Sequence, residues 1–252
     1  MENRDLIIIG GGPAGYVAAI RTRQLGGSVT LVEEDTVGGT CLNRGCIPMR
    51  ALVRGVEFLE MPRKARDYGV NLGAAEIDFA KMMARKDTVV RTVTGGVKLL
   101  LEGNGVEVIP GKGRLVSPSE VEVVSPDGST SRITARKVLI ATGARAKRPS
   151  VPGGDGVLTT DQALELTEIP RSLLIIGGRD IDLAFATIFA KLGAEVTVAE
   201  TSARILPEVD GEIVSLLARE LRRQKIQVFT EASITEVRDA EGDDRGVALT
   251  TG

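Results

Sequence analysis

The hydrophobic and polar positions of this chain follow one short plan twice. Asp5-Leu6-Ile7-Ile8-Ile9 is an apolar run ended by glycines, the pattern of a buried strand. Gly10-Gly11-Gly12-Pro13-Ala14-Gly15 follows, and from Tyr16 to Leu25 apolar residues recur at helical spacing (Val17, Ala18, Ile20, Leu25). Ser28 to Val32 predicts a second strand, ending at Glu33. Far downstream, Ser172 to Ile176 predicts a strand, Gly177-Gly178 a turn, Ile181 to Leu192 a helix, and Ala194 to Val198 a strand that runs out near Glu200. Gly10 to Glu33 and Gly177 to Glu200 each span 23 positions.

Strand, glycine loop, helix, strand and acidic residue, in that order, is what a βαβ dinucleotide-binding unit requires. Gly10 makes the tight turn, Gly12 lets the backbone approach a pyrophosphate, and Gly15 lets helix pack on strand. The helix N-terminus offers free N–H groups and a positive dipole end to phosphate, and Glu33 is placed to accept ribose hydroxyls. The predicted fold class is α/β, with two Rossmann-like dinucleotide-binding folds, each with an inserted or appended β-meander. The Pro/Gly-rich stretch Lys147–Gly154 marks the join, giving an expected domain at 1–148 and a second, partial one at 149–252.

Between the two copies, Phe79 to Leu101 has helical spacing, weakened by Gly95-Gly96, and a further helix is expected through Ala51 and Leu52. Gly105–Ile109, Glu120–Val124, Ser131–Ile133 and Lys137–Ala141 read as strands, with Ser125-Pro126-Asp127-Gly128 a turn. After Glu200, Pro207 to Gln224 carries a helical stripe (Ile213, Leu216, Leu217, Leu221), and Ile226–Phe229 and Ile234–Val237 read as strands.

Composition excludes more than it selects. The net charge of −2 and 3% aromatic content leave no basic, aromatic-laced surface for nucleic acid. The apolar run Leu6–Ile9 is too short for a signal peptide or a membrane span, so no membrane association is expected and the cytoplasm is the expected location. The chain has no histidine, which removes Ser-His triads, Cys-His nucleophiles and His metal ligands; no metal site is expected.

Both cysteines lie in Gly38-Gly39-Thr40-Cys41-Leu42-Asn43-Arg44-Gly45-Cys46-Ile47-Pro48, just past the second strand. A structural disulfide lacks the usual framework of further cysteines, and half a zinc site lacks its second half. Two inert core thiols, or a redox pair beside a dinucleotide, remain. A close pair in a short loop forms a strained, accessible disulfide of the labile kind. The helix through Ala51 and Leu52 would place a positive dipole end near these thiols and lower a thiolate pKa.

Gly10–Tyr16, the segment Gly39–Pro48 and Ala141-Thr142-Gly143 together resemble the class I pyridine nucleotide–disulfide oxidoreductases, with wording nearest the dihydrolipoamide dehydrogenase branch. The resemblance covers the N-terminal half of such proteins. It implies FAD on the first fold, held through Gly10, Gly12, Pro13, Ala14, Gly15, Glu33, Glu34, Gly39 and Thr40, with Arg50, Gly113, Ala141, Thr142 and Gly143 on the flavin side. It implies that Cys46 faces the flavin and Cys41 exchanges with a dithiol substrate such as dihydrolipoamide or a lipoyl domain. It also implies a homodimer, or a separate chain supplying the C-terminal half with its His-Glu acid–base pair.

The second copy departs from the family. Arg179 stands at the second glycine position, Asp182 at the third, and Asp180 beside the nicotinamide position. The family's flavin-side lysine and its glutamate partner correspond to Arg50 and Ala184. A degraded NAD site at Gly177, Gly178, Arg179, Asp180, Asp182 and Glu200 is therefore expected. The expected function is an FAD-dependent dithiol/disulfide oxidoreductase. Another disulfide reductase of the superfamily, or a non-catalytic flavin-binding or interaction module, is the alternative.

Overall fold

The computed structural model describes residues 4–239 and 245–251, so the outermost residues of the expected domains (1–3, 252) and the segment 240–244 lie outside the described residues. The chain divides into two compact units, residues 1–50 with 85–145, and residues 51–84 with 146–252. The break at 145/146 lies close to the expected join at 148, while 51–84 clusters with the second unit.

In the first unit, strand β1 (Arg4–Ile9) leads through the glycine loop into helix α1 (Pro13–Gln24) and strand β2 (Val29–Glu33). The short helix α2 (Gly39–Asn43) follows, and helix α3 (Cys46–Asp67) starts within this unit. Helix α4 (Phe79–Gly103) enters the unit from 85 onward and runs unbroken through Gly95-Gly96, because Val97 and Leu101 bury its apolar side there. Strands β3 (Glu107–Pro110), β4 (Lys112–Ser117), β5 (Glu120–Val124) and β6 (Thr130–Ile140) complete a six-stranded sheet of order β3-β2-β1-β6-β5-β4.

Two sequence expectations change here. The expected strands Ser131–Ile133 and Lys137–Ala141 form one strand that ends at Ile140; its first half pairs antiparallel with β5 and its second half parallel with β1. The run reads as two because Arg136 interrupts it just past the point where one partner hands over to the other. Strand β4 was not expected; Lys112 and Arg114 hide its alternation, and only pairing with β5 defines it.

Alternation along β1 sets up the core. Ile8 faces α1, α2 and α4, in a cluster with Ala19, Leu31, Leu42 and Leu101, while Ile7 and Ile9 face Val121, Val123 and Ala135 of the meander. Cys41 and Ile47 pack on the edge of the first cluster, so the cysteine segment is seated on the core.

The second unit holds a three-stranded parallel sheet of β7 (Ser172–Ile176), β8 (Glu195–Ala199) and β9 (Gln227–Phe229), and, apart from it, a hairpin of β10 (Ala232–Asp239) and β11 (Arg245–Thr251). Ahead of them is the single turn α5 (Thr160–Ala163). Helix α6 (Asp180–Leu192) buries Leu183, Phe185, Ala186, Ile188, Phe189 and Leu192. Helix α7 runs Gly211–Arg223, starting after the expected Pro207 while keeping the whole apolar stripe, because the Asp210 carboxylate caps it by accepting from the N–H groups of Glu212 and Ile213. No helix among the described residues is long and apolar enough to cross a membrane.

Candidate functional site

The two glycine loops share a hydrogen-bond scheme that shows why the repeat exists. Gly10 N–H donates to the Val32 carbonyl at 2.8 Å, and Gly177 N–H donates to the Ala199 carbonyl at 2.8 Å. The carboxylate ending the second strand then grips the loop. Glu33 accepts from the N–H groups of Gly11 (2.5 Å) and Asp35 (2.9 Å); Glu200 accepts from those of Gly178 (2.7 Å) and Ser202 (2.7 Å). Both acidic residues thus have a structural task besides any ribose contact. Burial pushes the Glu33 carboxyl up. Burial acts in the same sense on Glu200, but the bonds from Ser202, Gly178 and Thr201 outweigh it and hold that carboxyl below its ordinary value.

At the helix N-termini the two loops part. In the first, Gly10 has φ +105°, and a methyl group placed there would lie 2.3 Å from the Ala141 carbonyl oxygen. A methyl on Gly15 would lie 1.8 Å from the Gly10 oxygen, which is the helix-on-strand packing expected of it. At Gly12, which precedes α1, a methyl would meet only Gly39 Cα, at 3.7 Å. Pro13 and Ala14 are exposed, and the first turn of α1 carries no acidic residue. These features leave an open, unopposed cradle of backbone N–H groups, the donor set a diphosphate requires.

In the second loop the cradle is filled from within. Asp182, at the position of Gly15, turns its carboxylate back to accept the Arg179 N–H at 3.0 Å, and a methyl on Gly177 would lie 2.4 Å from its Oδ2. Arg179 takes the place of Gly12, and its exposed guanidinium pairs with Glu208 at 3.4 Å. The first turn of α6 is acidic, with Asp180 and Asp182. Burial, followed by the negative charges of Glu200 and Asp180, pushes the Asp182 carboxyl up, against the Arg179 N–H bond and the Arg179 charge. These residues do not fit a second dinucleotide.

The cysteines stand next to the open cradle. The loop between β2 and α2 folds over it: Gly38 N–H donates to the Gly11 carbonyl at 2.8 Å, and Gly39, at φ +57°, packs so closely that a methyl there would lie 2.6 Å from Gly12 Cα. Thr40 follows Gly39 in α2 and is exposed. Cys41 is half-buried in α2, and Cys46 is exposed at the first position of α3. Both thiols are free, and they lie close enough to influence one another. Burial pushes the Cys41 thiol up, the Cys46 contact adds to this, and the Arg50 charge opposes it. At Cys41 the net direction is thus up, with burial on the core edge its leading cause.

The remaining expected residues are spread around this centre. Ala141 N–H donates to the Ile9 carbonyl at 2.8 Å, just beyond β6, and Thr142 and Gly143 are exposed after it. Gly113, on β4, packs on the core, since a methyl there would lie 2.9 Å from Ile9 Cγ2. Glu34 is ion-paired with Arg145. Sequence reasoning passed over Asn43, Arg44 and Asp35, which link the cysteine segment to the loop before it: Arg44 pairs with Asp35, and the Asn43 side chain donates to three carbonyls of residues 36–39. The position of Asn43 between the cysteines was the available signal.

Comparison with known proteins agrees with this geometry. The family model described as pyridine nucleotide-disulphide oxidoreductase matches residues 4–252. Dihydrolipoyl dehydrogenase 2 of Arabidopsis thaliana, a mitochondrial protein, is 40% identical over 98% of this chain and 49% of its own length. A dihydrolipoyl dehydrogenase of Acholeplasma laidlawii is 39% identical over 93% of this chain and 70% of its own. Among solved structures, the HOCl-induced flavoprotein disulfide reductase RclA of Escherichia coli, a Cu(II) complex of a cysteine-to-serine mutant, superposes with TM-score 0.85 at 28% identity, covering 99% of this chain and 54% of that one. The chain spans about half the length of the first of these relatives. With a family match over nearly all its residues and two dinucleotide-type folds in the expected order, the chain belongs to the pyridine nucleotide-disulphide oxidoreductase family.

Proposed function

We propose that this chain is an FAD-dependent dithiol/disulfide oxidoreductase, similar to dihydrolipoamide dehydrogenase, whose second nucleotide fold has lost its use for NAD(H). The observation that carries this reading is the contrast between the loops: an open amide cradle with the cysteine pair beside it, and a second cradle closed by its own aspartate.

In this reading FAD lies on the first fold, within the expected domain 1–148. Its diphosphate meets the amides around Gly12, Pro13, Ala14 and Gly15. The ribose meets Glu33, whose carboxylate has lone pairs left after the Gly11 and Asp35 bonds. Gly10, Glu34, Gly39, Thr40, Gly113, Ala141, Thr142 and Gly143 line the remainder. When bound, FAD supplies a two-electron acceptor. The chain's own part is to bring two thiols together, so that Cys41 and Cys46 lose two protons and two electrons as one disulfide forms. Arg50 keeps a fixed positive charge near that pair. The partner is a dithiol substrate such as dihydrolipoamide or a lipoyl domain, and the chain works in the cytoplasm. The chain has no histidine, so the acid–base residue of the family's reaction comes from another segment or a second chain, as in a homodimer.

The test is the visible spectrum of the 252-residue chain after incubation with FAD and gel filtration. Retained flavin bands, with a new long-wavelength band on adding dihydrolipoamide, support the reading. Protein that stays colourless points to the interaction-module alternative; a response to glutathione in place of dihydrolipoamide points to another disulfide reductase of the superfamily.

A further inference from the structure

We infer that Asn43 is the positioning residue of the Cys41/Cys46 pair: its side-chain amide holds the cysteine segment onto the loop that covers the dinucleotide cradle, and so keeps the two thiols in reach of each other. The inference rests on the redox reading of the pair given above.

Helix α2 is only five residues long, and a helix of that length does not hold itself. It follows Gly38, at φ +105°, with no side-chain cap, and it ends at Arg44, so its shape depends on contacts from outside. Asn43 supplies them. Its Nδ2 donates to the carbonyls of Thr36 (3.3 Å) and Val37 (3.3 Å) in the preceding loop and, within the helix, to that of Gly39 (3.0 Å), sharing two protons among three acceptors. Thr36 and Val37 belong to the same loop that Gly38 pins to Gly11, and Gly39 in turn stacks on Gly12. The Arg44–Asp35 ion pair ties the next residue to the same loop, and the Asp35 N–H is in turn bound by Glu33. A continuous set of bonds therefore runs from the ribose carboxylate to the residue midway between the cysteines.

Asn43→Asp keeps the shape but turns the donor into a carboxylate facing three carbonyl oxygens. The segment is then pushed from its loop, and the thiols spend less time together. The thiol–disulfide step is balanced by glutathione: two protein thiols plus one oxidised glutathione give one protein disulfide and two reduced glutathiones. In a glutathione buffer the equilibrium constant for that step is expected to fall about tenfold in Asn43→Asp, or about 30 mV for a two-electron couple. Asn43→Ser, which keeps one donor, is expected to lie between. Asn104→Asp, a change at another amide that donates to a helix carbonyl (Leu100, 2.8 Å), is expected to leave the constant unchanged. Thiol counts by mass spectrometry read the constant, and circular dichroism reads folding; no bound cofactor is needed. An unchanged constant in Asn43→Asp, with only the melting temperature lowered, overturns the inference while leaving the redox reading intact. If Asn43→Asp does not fold, the Asn43→Ser constant decides: equal to wild type, it overturns the inference. Wild-type protein that keeps both thiols free in oxidised glutathione overturns the redox reading and the role of Asn43 together.

Discussion

Replacing Asp182 by glycine should reopen the second cradle. In the wild type, an incoming diphosphate must displace the Asp182 carboxylate from the Arg179 N–H, a bond of 3.0 Å to a charged group and so worth about 1.5–3 kcal/mol. It must also approach that carboxylate: two negative charges ~5 Å apart at an effective dielectric of ~20 repel by about 3 kcal/mol. Solvent reaches the half-buried Asp182, and screening reduces the sum to roughly 2–3 kcal/mol, or about 30- to 150-fold in affinity. NADH titration by fluorescence should therefore give millimolar or weaker binding to the wild type and a gain of that order in Asp182→Gly, with more when glycine also replaces Arg179. Burial and the neighbouring Glu200 and Asp180 charges raise the Asp182 pKa, so protonation begins above the ordinary aspartate range. Wild-type NADH affinity should accordingly rise as pH falls from neutral toward that range, and the rise should vanish in Asp182→Asn. Micromolar NADH binding by the wild type, or no gain in Asp182→Gly when circular dichroism shows a folded protein, would refute the self-occupied cradle.

Three further outcomes follow from the same geometry. Gly12→Ala should keep the melting temperature within about 2 °C but weaken FAD binding, whereas Gly15→Ala, which drives a methyl into the Gly10 carbonyl, should cost about 3 kcal/mol and lower the melting temperature by about 6–12 °C. Iodoacetamide should modify exposed Cys46 before half-buried Cys41, with FAD slowing the first reaction; peptide mapping that finds Cys41 modified first contradicts the assignment of faces. Glu60, held down at about 2 by its bonds to Lys191 and Lys64, should add stability that is complete above about pH 4.5 and fades as pH falls toward 2. Because Glu60 is 38% exposed, the contribution is about 1 kcal/mol after screening, so Glu60→Gln should lose less stability than the wild type between pH 5 and 3 in urea melts.

The sequence made the two βαβ units readable because their signals are local. A glycine that must take φ +105° and another that must admit a neighbouring backbone leave a fixed spacing, and the strand before them is apolar on both faces. Strand β4 and the continuity of β6 were not readable, since both depend on partners in the sheet and carry charged residues in their own runs. At the site, the candidate residues were legible and their positioning was not. Cys41, Cys46 and Glu33 stand out by type and spacing, but the three bonds of Asn43 join residues whose backbone carbonyls have no sequence signature. Asp182 shows both sides: its identity announces a departure from the glycine pattern, while its inward turn onto the Arg179 N–H is visible only in three dimensions.

On the reading proposed above, the open first cradle and the cysteine pair form one electron-transfer unit. The most direct test is an anaerobic titration with dihydrolipoamide of the FAD-loaded chain whose cysteine pair has first been oxidised to the disulfide, followed in the visible region and compared with a Cys41→Ser/Cys46→Ser double variant. The wild type should consume one dithiol equivalent more than the variant before its flavin is fully reduced, and the variant's flavin should be reduced far more slowly. Equal consumption and equal rates in the two proteins would contradict it.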